Sequence, residues 1–180
     1  MRKIPYSFEY IDKTAGIGSA HAEYSVFNTD ETLMVRAEAN ALLGNYAAAL
    51  ADVNTELARF SKSGITLTLP QIQSFYNGIA YYTPTAPTPK KQFHTSFTIE
   101  STTQEPLLQC ILQLRRLLTI HEGLRLQDVK RYGITMYRRR INAQNDIEAV
   151  TDTMQVDDPR LAIQIPQDVI TAGLTPNPRN

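Results

Sequence analysis

The stretch LRRLLTIHEGLRLQDVKRYGI, residues 114–134, combines the apolar spacing of a buried helix with a dense set of charged side chains. Within it, Glu122, Arg125, Asp128 and Arg131 follow one another every three residues with alternating sign. Side chains three apart on a helix lie on the same face and can contact one another. The pattern therefore predicts that these charges pair with each other.

Three roles could explain such a charged stretch: a catalytic pair, a basic binding strip or an internal clamp. A catalytic interpretation would use His121 with Glu122, or Glu122 with Asp128, as acid and base. The neighbouring arginines would keep both carboxylates ionised, whereas a general acid needs a raised pKa. A buried ion-pair network suits this alternation, because an arginine fork binds carboxylates in pairs. We therefore predict no enzymatic activity and a structural charged motif, defined as Arg115, Arg116, Glu122, Arg125, Asp128 and Arg131.

The composition excludes several classes of function. A chain of 180 residues fits a single domain. Eighteen basic and eighteen acidic residues give a formal charge of zero, so nucleic acid is not an expected partner. The single cysteine, Cys110, excludes a cysteine-rich zinc site, and the three histidines lack metal-binding spacing. No apolar run approaches the ~20 residues that span a bilayer, and we predict neither a metal nor a cofactor.

The N-terminal third of the chain changes character near residue 29. Residues 1–28 show no sustained period and are predicted to form an irregular lead-in. Apolar spacing then predicts a helix pair over residues 29–62, with a turn at Gly44. The short turn makes the two helices antiparallel neighbours. Gly44, Tyr46 and Ala49 also match part of the tetratricopeptide pattern.

The middle of the chain is predicted to contain one helix and one long loop. The helix begins at Pro70, a residue favoured in the first helical turn, and extends to about Tyr82. Residues 83–101 are rich in proline, which cannot continue a helix. We therefore predict a proline-rich surface loop over residues 83–101.

Residues 103–180 are predicted to contain a further helix, the charged motif and a small antiparallel strand pair. The strands are ITMYRRRI (residues 134–141) and RLAIQIP (residues 160–166), where apolar and polar residues alternate. The three arginines at 138–140 are expected to pair with the acidic residues of the intervening segment 142–158. The predicted fold is thus mostly α, with a tetratricopeptide-like helix pair, further helices, long loops and this strand pair.

Three stretches, taken together, resemble the C-terminal part of the SusD/RagB family. They are the helix LMVRAEANALLGNYAAALADVN, the charged segment LRRLLTIHEGLRLQDVKRYG and the tail DPRLAIQIPQDVITAGLTPNPR. The family's Arg-Ala-Glu-Ala helix falls on residues 36–39, and its closing Ile-Pro and Asn-Pro fall on residues 165–166 and 177–178. Its Arg-Arg, Glu-Gly-x-Arg and Asp-Leu-x-Arg series falls on the charged motif, with Val129 in place of leucine. Leu114 and Leu118 depart from the acidic residues common in the family.

The resemblance implies a surface-exposed outer-membrane lipoprotein that captures glycans or other nutrients beside a SusC-like TonB-dependent transporter. Family members are longer, so this chain is expected to correspond to their C-terminal portion, with any lipid anchor outside it. Their ligand surface is largely built from other segments, and we expect weak glycan binding by this chain alone. An alternative is a helical, tetratricopeptide-like adaptor that binds protein and has no ligand of its own.

Candidate glycan-binding residues lie in the segment FYNGIAYY, residues 75–82. Sugars present flat apolar faces rimmed by hydroxyls, so a binding surface should offer aromatic rings beside polar groups. Tyr76, Tyr81 and Tyr82 are therefore the candidates. Tyr76 and Tyr82 fall on an apolar helical stripe that is typical of a core. Tyr81 lies off the stripe and is expected to be the more exposed.

Overall fold

The computed structural model describes residues 6–22, 28–120 and 122–179. Within these ranges the chain forms six α-helices, a 3₁₀ turn and two antiparallel strand pairs. Helices are the commonest regular structure, as predicted, but the N-terminal strand pair, at residues 6–22, adds unexpected β content. The helices are α1 (Thr29–Leu42), α2 (Tyr46–Phe60), α3 (Leu69–Gly78), α4 (Gln104–Leu118), α5 (Arg125–Tyr132) and α6 (Gln167–Thr171). The strands are β1 (Tyr6–Asp12), β2 (Ile17–Ala22), β3 (Met136–Ile141) and β4 (Ile147–Met154).

The predicted helix pair is present as α1 and α2. Asn28 caps α1, because its side chain accepts a hydrogen bond from the backbone of Glu31 at 2.8 Å. Arg36 on α1 binds Asp52 on α2 at 2.6 Å. These two residues are equally far from Gly44, at the turn, so the helices run antiparallel. Small side chains at the contact are fully buried, which lets the helix axes approach closely: Ala37, Ala41 and Ala49.

Residues 6–22 form the β1–β2 hairpin, so the predicted irregular lead-in is wrong for this part of residues 1–28. The turn is stabilised by the Asp12 carboxylate, which accepts hydrogen bonds from the backbone of Thr14 and Ala15. Aromatic and polar residues alternate in YSFEY, as in a strand. That signal is too short to stand out from irregular sequence. Residues 1–5 and 23–27 lie outside the described ranges.

Helix α4 forms the centre of the core. Leu107, Leu108 and Ile111 are fully buried against α1, α2 and α3. The side chain of Gln104 donates to the last carbonyls of α1 at 2.9 and 3.1 Å, which joins the two helix ends. Cys110, on the same helix, is buried, and burial raises the pKa of its thiol to about 11.

Helix α3 begins as predicted but ends earlier. Thr68 and Gln71 form a reciprocal cap, with Pro70 in the first turn. The helix stops at Gly78, and Ile79 is extended, so Tyr82 lies outside the helix. The backbone of Tyr82 instead donates to the carbonyl of Lys90 at 2.7 Å. The predicted proline-rich loop at residues 83–101 is confirmed, since it contains neither helix nor strand.

The proline-rich loop is fixed to the helices by hydrogen bonds to its backbone. The side chain of Gln109 on α4 binds both the N–H and the C=O of Lys91, at 2.9 and 2.6 Å. The backbone N–H of His94 donates to the carbonyl of Tyr132 at 2.8 Å. Next to it, Gly133 has a φ of +56°, and a Cβ atom there would lie 2.4 Å from the His94 carbonyl oxygen. The close approach of the loop therefore depends on glycine at position 133, which has no Cβ atom.

The C-terminal strand pair is present, but its second strand is not the predicted one. β3 pairs with β4 across a tight turn, in which the Asn142 side chain accepts two backbone hydrogen bonds. The predicted partner at residues 160–166 is wrong, because Leu161 ends a 3₁₀ turn and Ile163 is 86% exposed. A local hairpin closes a shorter loop, at a lower entropic cost than a distant partner.

The arginines of β3 are only partly compensated by acidic residues. Arg140 binds Glu148 at 2.6 Å, and Arg138 lies opposite Asp152 in the strand pair, as the charge balance predicts. Arg139 differs. Its guanidinium donates to the Tyr82 hydroxyl and to the carbonyls of residues 83 and 84, at 2.6 to 2.7 Å. Arg139 thus ties the proline-rich loop to β3.

We predict that Gly133→Ala destabilises the protein by about 3 kcal/mol, because it combines left-handed backbone strain with displacement of the loop. Gly64→Ala is the matched control: Gly64 has a φ of +57°, and no heavy atom lies within 4 Å of the place that an added methyl group would occupy. The control should cost only about 1 kcal/mol, the backbone strain alone. Urea unfolding of both variants measures the difference, and equal losses would contradict a close approach at Gly133.

Candidate functional site

Part of the charged motif forms a buried ion-pair network around Arg115, which is 9% exposed. One of its terminal nitrogens donates to Glu38 at 2.6 Å and the other to Asp128 at 2.5 Å. The three residues come from α1, α4 and α5, so a single guanidinium connects three helices. Among the described residues, removing the guanidinium would leave Asp128 with only the 3.4 Å contact to Arg125, and Glu38 with only Arg131 and Tyr132. Proteins tolerate the loss of the closest partner of a buried charge poorly.

Glu38 is the acidic centre of this network. Besides Arg115, it accepts hydrogen bonds from Arg131 at 2.9 Å and from the hydroxyl of Tyr132 at 2.5 Å. Burial alone would raise its pKa. The Tyr132 hydroxyl and the charges of Arg115 and Arg131 outweigh that effect and hold the pKa of Glu38 below its ordinary value. Glu38 is therefore ionised at neutral pH and has no proton to donate.

The network differs in membership from the predicted charged motif. Arg115, Asp128 and Arg131 belong to it, and Arg125 contacts Asp128 only at 3.4 Å. Arg116 is exposed; it lies outside the network and lines a cavity that is described below. Glu122 precedes α5, so the four alternating charges do not share one helix as the spacing predicted. His121 lies outside the described residues.

Glu38 is absent from the predicted motif although the sequence contains a signal for it. It occupies the Arg-Ala-Glu-Ala segment and falls on the buried face of α1 with Met34, Ala37 and Ala41. An acidic residue on an otherwise apolar helix face indicates a buried charge with a partner. The partner, Arg115, is 77 residues away, so the pairing itself cannot be found from local spacing.

A second cluster of charges lines a cavity of about 410 Å³ beside the proline-rich loop. Its walls come from that loop, α4, α5, and the segment leading into β3. We call it the basic pocket, because its charged lining residues are all cationic: Lys91, Arg116, Arg125 and Arg139. The remaining lining residues supply one phenol, one amide, two hydroxyls and apolar groups: Tyr82, Gln113, Thr88, Thr135, Pro87, Pro89, Ile134 and Met136.

Lys91 is held firmly at the wall of this pocket. Its ammonium donates to the Thr88 carbonyl at 2.7 Å and lies 3.4 Å from the ring centroid of Tyr82. Burial, together with the charges of Arg116, Arg125 and Arg139, lowers the pKa of Lys91 to about 7. The pocket therefore concentrates positive charge in a chain whose net charge is zero.

The three candidate tyrosines occupy different environments. Tyr76 is 5% exposed and belongs to the core, so it offers no free ring face. Tyr81 is half-buried; its hydroxyl donates to Glu105 at 2.8 Å, and the ammonium of Lys90 covers its ring. Tyr82 lines the basic pocket and stacks on Tyr137, with ring centroids 5.3 Å apart. Of the three, Tyr82 is the one that lines the basic pocket.

A groove on the other side of the network is largely apolar. It has a volume of about 490 Å³ and lies between α1 and α5. Its floor is the Arg115 network, and its apolar walls include Val35, Ala39 and Leu124. The Nε of Arg115 is buried there without a hydrogen-bond partner among the described residues. The groove is therefore better suited to pack against an apolar surface than to bind a polar ligand.

Metal-binding clusters and membrane-spanning helices are both absent from the described part of the chain. Over residues 6–22, 28–120 and 122–179, no group of three or more His, Cys, Asp or Glu side chains could hold a metal ion. Within the same ranges, no helix combines the length and the apolarity needed to cross a bilayer.

We predict that Arg115→Met lowers the free energy of unfolding by about 3 kcal/mol or more, because it leaves Glu38 and Asp128 without their closest cation. Arg116→Met is the matched control, since its side chain is exposed and outside the network. The control should change stability by no more than about 0.5 kcal/mol. Chemical denaturation measures both. Similar losses for the two neighbours would show that Arg115 does not organise the helices.

The lowered pKa of Glu38 also predicts a pH dependence. Its ionised form stabilises the fold above the unfolded-state pKa, and this contribution is lost as pH falls through the lower folded-state value. Glu38→Gln should therefore lower stability at pH 7 and flatten the loss of stability on acidification below about pH 4.5. Glu148→Gln, at an exposed ion pair, should leave the acid slope unchanged. Melting temperatures from pH 3 to pH 7 test both variants.

Comparisons with protein-family models, with curated proteins and with solved structures find no match to this chain. The similarity to the SusD/RagB family accordingly remains a prediction carried by three stretches of sequence. Function is therefore inferred from the contacts within the molecule, above all those around the Arg115 network and the basic pocket.

Proposed function

We propose that this chain belongs to a non-catalytic, nutrient-capturing protein of the SusD/RagB type, which holds a glycan or another nutrient for a SusC-like TonB-dependent transporter. In this proposal the whole protein is a surface lipoprotein of the outer membrane. The observation that supports ligand capture is the basic pocket. It presents a phenol, an amide, hydroxyls and cations, and its described lining includes no carboxylate.

The state of the buried carboxylates favours capture over cleavage. Glycoside hydrolysis generally requires two carboxyl groups on either side of the scissile bond, one of them protonated. Glu38 and Asp128 are both buried, and both are held by Arg115 in a charge-assisted network. The pKa of Glu38 is lowered, which is opposite to what a general acid needs. These groups suit the role of a structural clamp.

We expect weak binding of oligosaccharides to the chain, because one pocket of this size supplies only part of a large ligand's contacts. Titrations followed by NMR chemical-shift changes detect such binding, and mass spectrometry of the sugars tests whether they stay intact. Tyr82→Ala should abolish the shifts. Tyr81→Ala, outside the pocket lining, is the matched control and should retain them.

The opposite ranking of the two tyrosines would place the ligand at Tyr81 and remove the support that the basic pocket gives to this proposal. Shortened sugars that disappear in a Glu122→Gln variant would make the protein a hydrolase and overturn it. Melting temperatures of both tyrosine variants separate loss of binding from loss of folding.

The second candidate function is a helical adaptor that binds protein. Support for it comes from the apolar groove between α1 and α5 and from the α1–α2 pair, which we propose as a tetratricopeptide-like unit. In that pair Gly44 lies at the turn, Tyr46 is half-buried and Ala49 is fully buried. The most natural partner is the same SusC-like transporter. The adaptor function would be favoured if the unmodified chain copurifies with the transporter and binds no sugar. The Val35→Asp variant should then no longer copurify.

A further inference from the structure

The basic pocket gathers four cations without an acidic residue in its described lining. Several cations elsewhere in the described chain are paired, since Arg36, Arg140 and Arg160 each have a carboxylate partner within 2.7 Å. The described lining of the basic pocket contains no such carboxylate. Because the formal net charge of the chain is zero, the excess of positive charge is local.

Three of the cations are directed to the pocket by different parts of the fold. Arg116 comes from α4 and Arg125 from the first turn of α5, while Lys91 comes from the proline-rich loop. Arg125 has a single long contact with Asp128, which already binds Arg115 at 2.5 Å. Arg139, the fourth cation, uses its donors to hold the loop. Lys91, Arg116 and Arg125 are therefore the groups with charge left to offer a ligand.

Holding these cations together is unfavourable in the absence of an anion. Burial and the charges of Arg116, Arg125 and Arg139 all disfavour the charged form of Lys91. Burial likewise lowers the pKa of Arg125, and the charge of Arg116 adds to that effect. Like charges within one cavity repel one another, and an anionic ligand relieves that repulsion. Clusters of this kind, perturbed and placed in a cavity, are typical of binding sites.

The uncharged residues that line the basic pocket are suited to bind a sugar ring attached to the anionic group of a ligand. Thr88, Thr135 and Gln113 can exchange hydrogen bonds with hydroxyls, and Tyr82 with its proline neighbours provides apolar surface. The volume of about 410 Å³ falls within the range of roughly 300–1,000 Å³ that is usual for small-molecule sites. The pocket is thus suited to a charged saccharide unit more than to a bare ion.

We propose that the basic pocket binds the anionic group of an acidic saccharide, a carboxylate or a sulfate ester, through Lys91, Arg116 and Arg125. The saccharide part of this inference rests on the proposed capture function, whereas the anionic part rests on the pocket itself. It narrows the ligand from glycans in general to uronic-acid or sulfated glycans.

The test compares four probes on the full chain by isothermal calorimetry and NMR titration: a galacturonic acid oligosaccharide, a sulfated disaccharide, a neutral oligosaccharide of matched length and inorganic sulfate. Acidic sugars should bind at least tenfold more tightly than the neutral one. The two acidic probes distinguish a carboxylate from a sulfate ester as the preferred group. Binding should weaken as ionic strength rises, because the contacts are between charges.

Variants assign the effect to the pocket. Lys91→Met and Arg116→Gln should each weaken binding of the acidic sugar at least tenfold. Lys62→Met and Arg59→Gln remove exposed cations of the same types outside the pocket lining and should leave binding unchanged. Melting temperatures identify any variant that fails to fold. Equal effects of pocket and control variants would show general attraction to positive charge and overturn the proposal.

A pH profile provides a readout that a purely structural lysine would not change. Binding should weaken from pH 6 to pH 8, because the pKa of free Lys91 is about 7 and its ammonium loses charge over that interval. The groups facing Lys91 are Arg116, Arg125 and Arg139, together with His94 in the adjoining cavity. The dependence should disappear in Lys91→Met. Its persistence there would remove Lys91 from the site.

The outcomes separate this inference from the proposed function. Binding of the neutral oligosaccharide with equal or higher affinity would overturn the acidic-ligand inference and leave glycan capture standing. Binding of inorganic sulfate without any of the three sugars would establish an anion site only and overturn both the acidic-ligand inference and glycan capture. No binding by any of the four probes would overturn both as well.

Discussion

The pairing of Arg115 with Glu38 and Asp128 is the constraint on which the rest of the structure depends. It fixes α4 against α1 and α5, and α5 ends at the glycine that receives the proline-rich loop. Ion pairs that are buried this way gain little net stability over apolar packing, since desolvation offsets most of the attraction. Their value lies in geometry, because a guanidinium that contacts both carboxylates restricts how the three helices can be arranged.

Two adjacent arginines illustrate how the fold separates charge. Successive residues of a helix point about 100° apart, so Arg115 enters the core while Arg116 reaches the basic pocket. Arg115 is paired with two carboxylates. The described lining of the basic pocket offers Arg116 no carboxylate. The zero net charge of the chain therefore conceals an uneven distribution: the charges of the Arg115 network are paired, whereas the described lining of the basic pocket contains cations and no carboxylate.

Local sequence features predict α1, α2, α4 and the start of α3, because apolar spacing, caps and turn glycines act within a few residues. They do not predict α6 or the end of α3 at Gly78. The same locality explains the failures. Glu38 is separated from Arg115 by 77 positions. Strand β4 lies in an acid-rich segment that is not predicted as a strand, because its pairing depends on the turn at Asn142. The basic pocket was equally out of reach, since Lys91, Arg116 and Arg125 meet only once the loop has docked on α4 and α5. Position in the sequence therefore groups Arg116 with the structural charges of the same stretch rather than with the basic pocket.

The position of Cys110 has a practical consequence for spectroscopy. It is the only cysteine of the chain, it is buried in α4, and its thiol stays protonated far above neutral pH. Thiol reagents attack through the thiolate, so Cys110 should be inert towards maleimides in the folded protein. A cysteine introduced at an exposed site, such as the tip of the proline-rich loop, can thus carry a fluorophore or a spin label without removing the native residue. Movements of the labelled loop can then be measured in a protein whose core is unchanged.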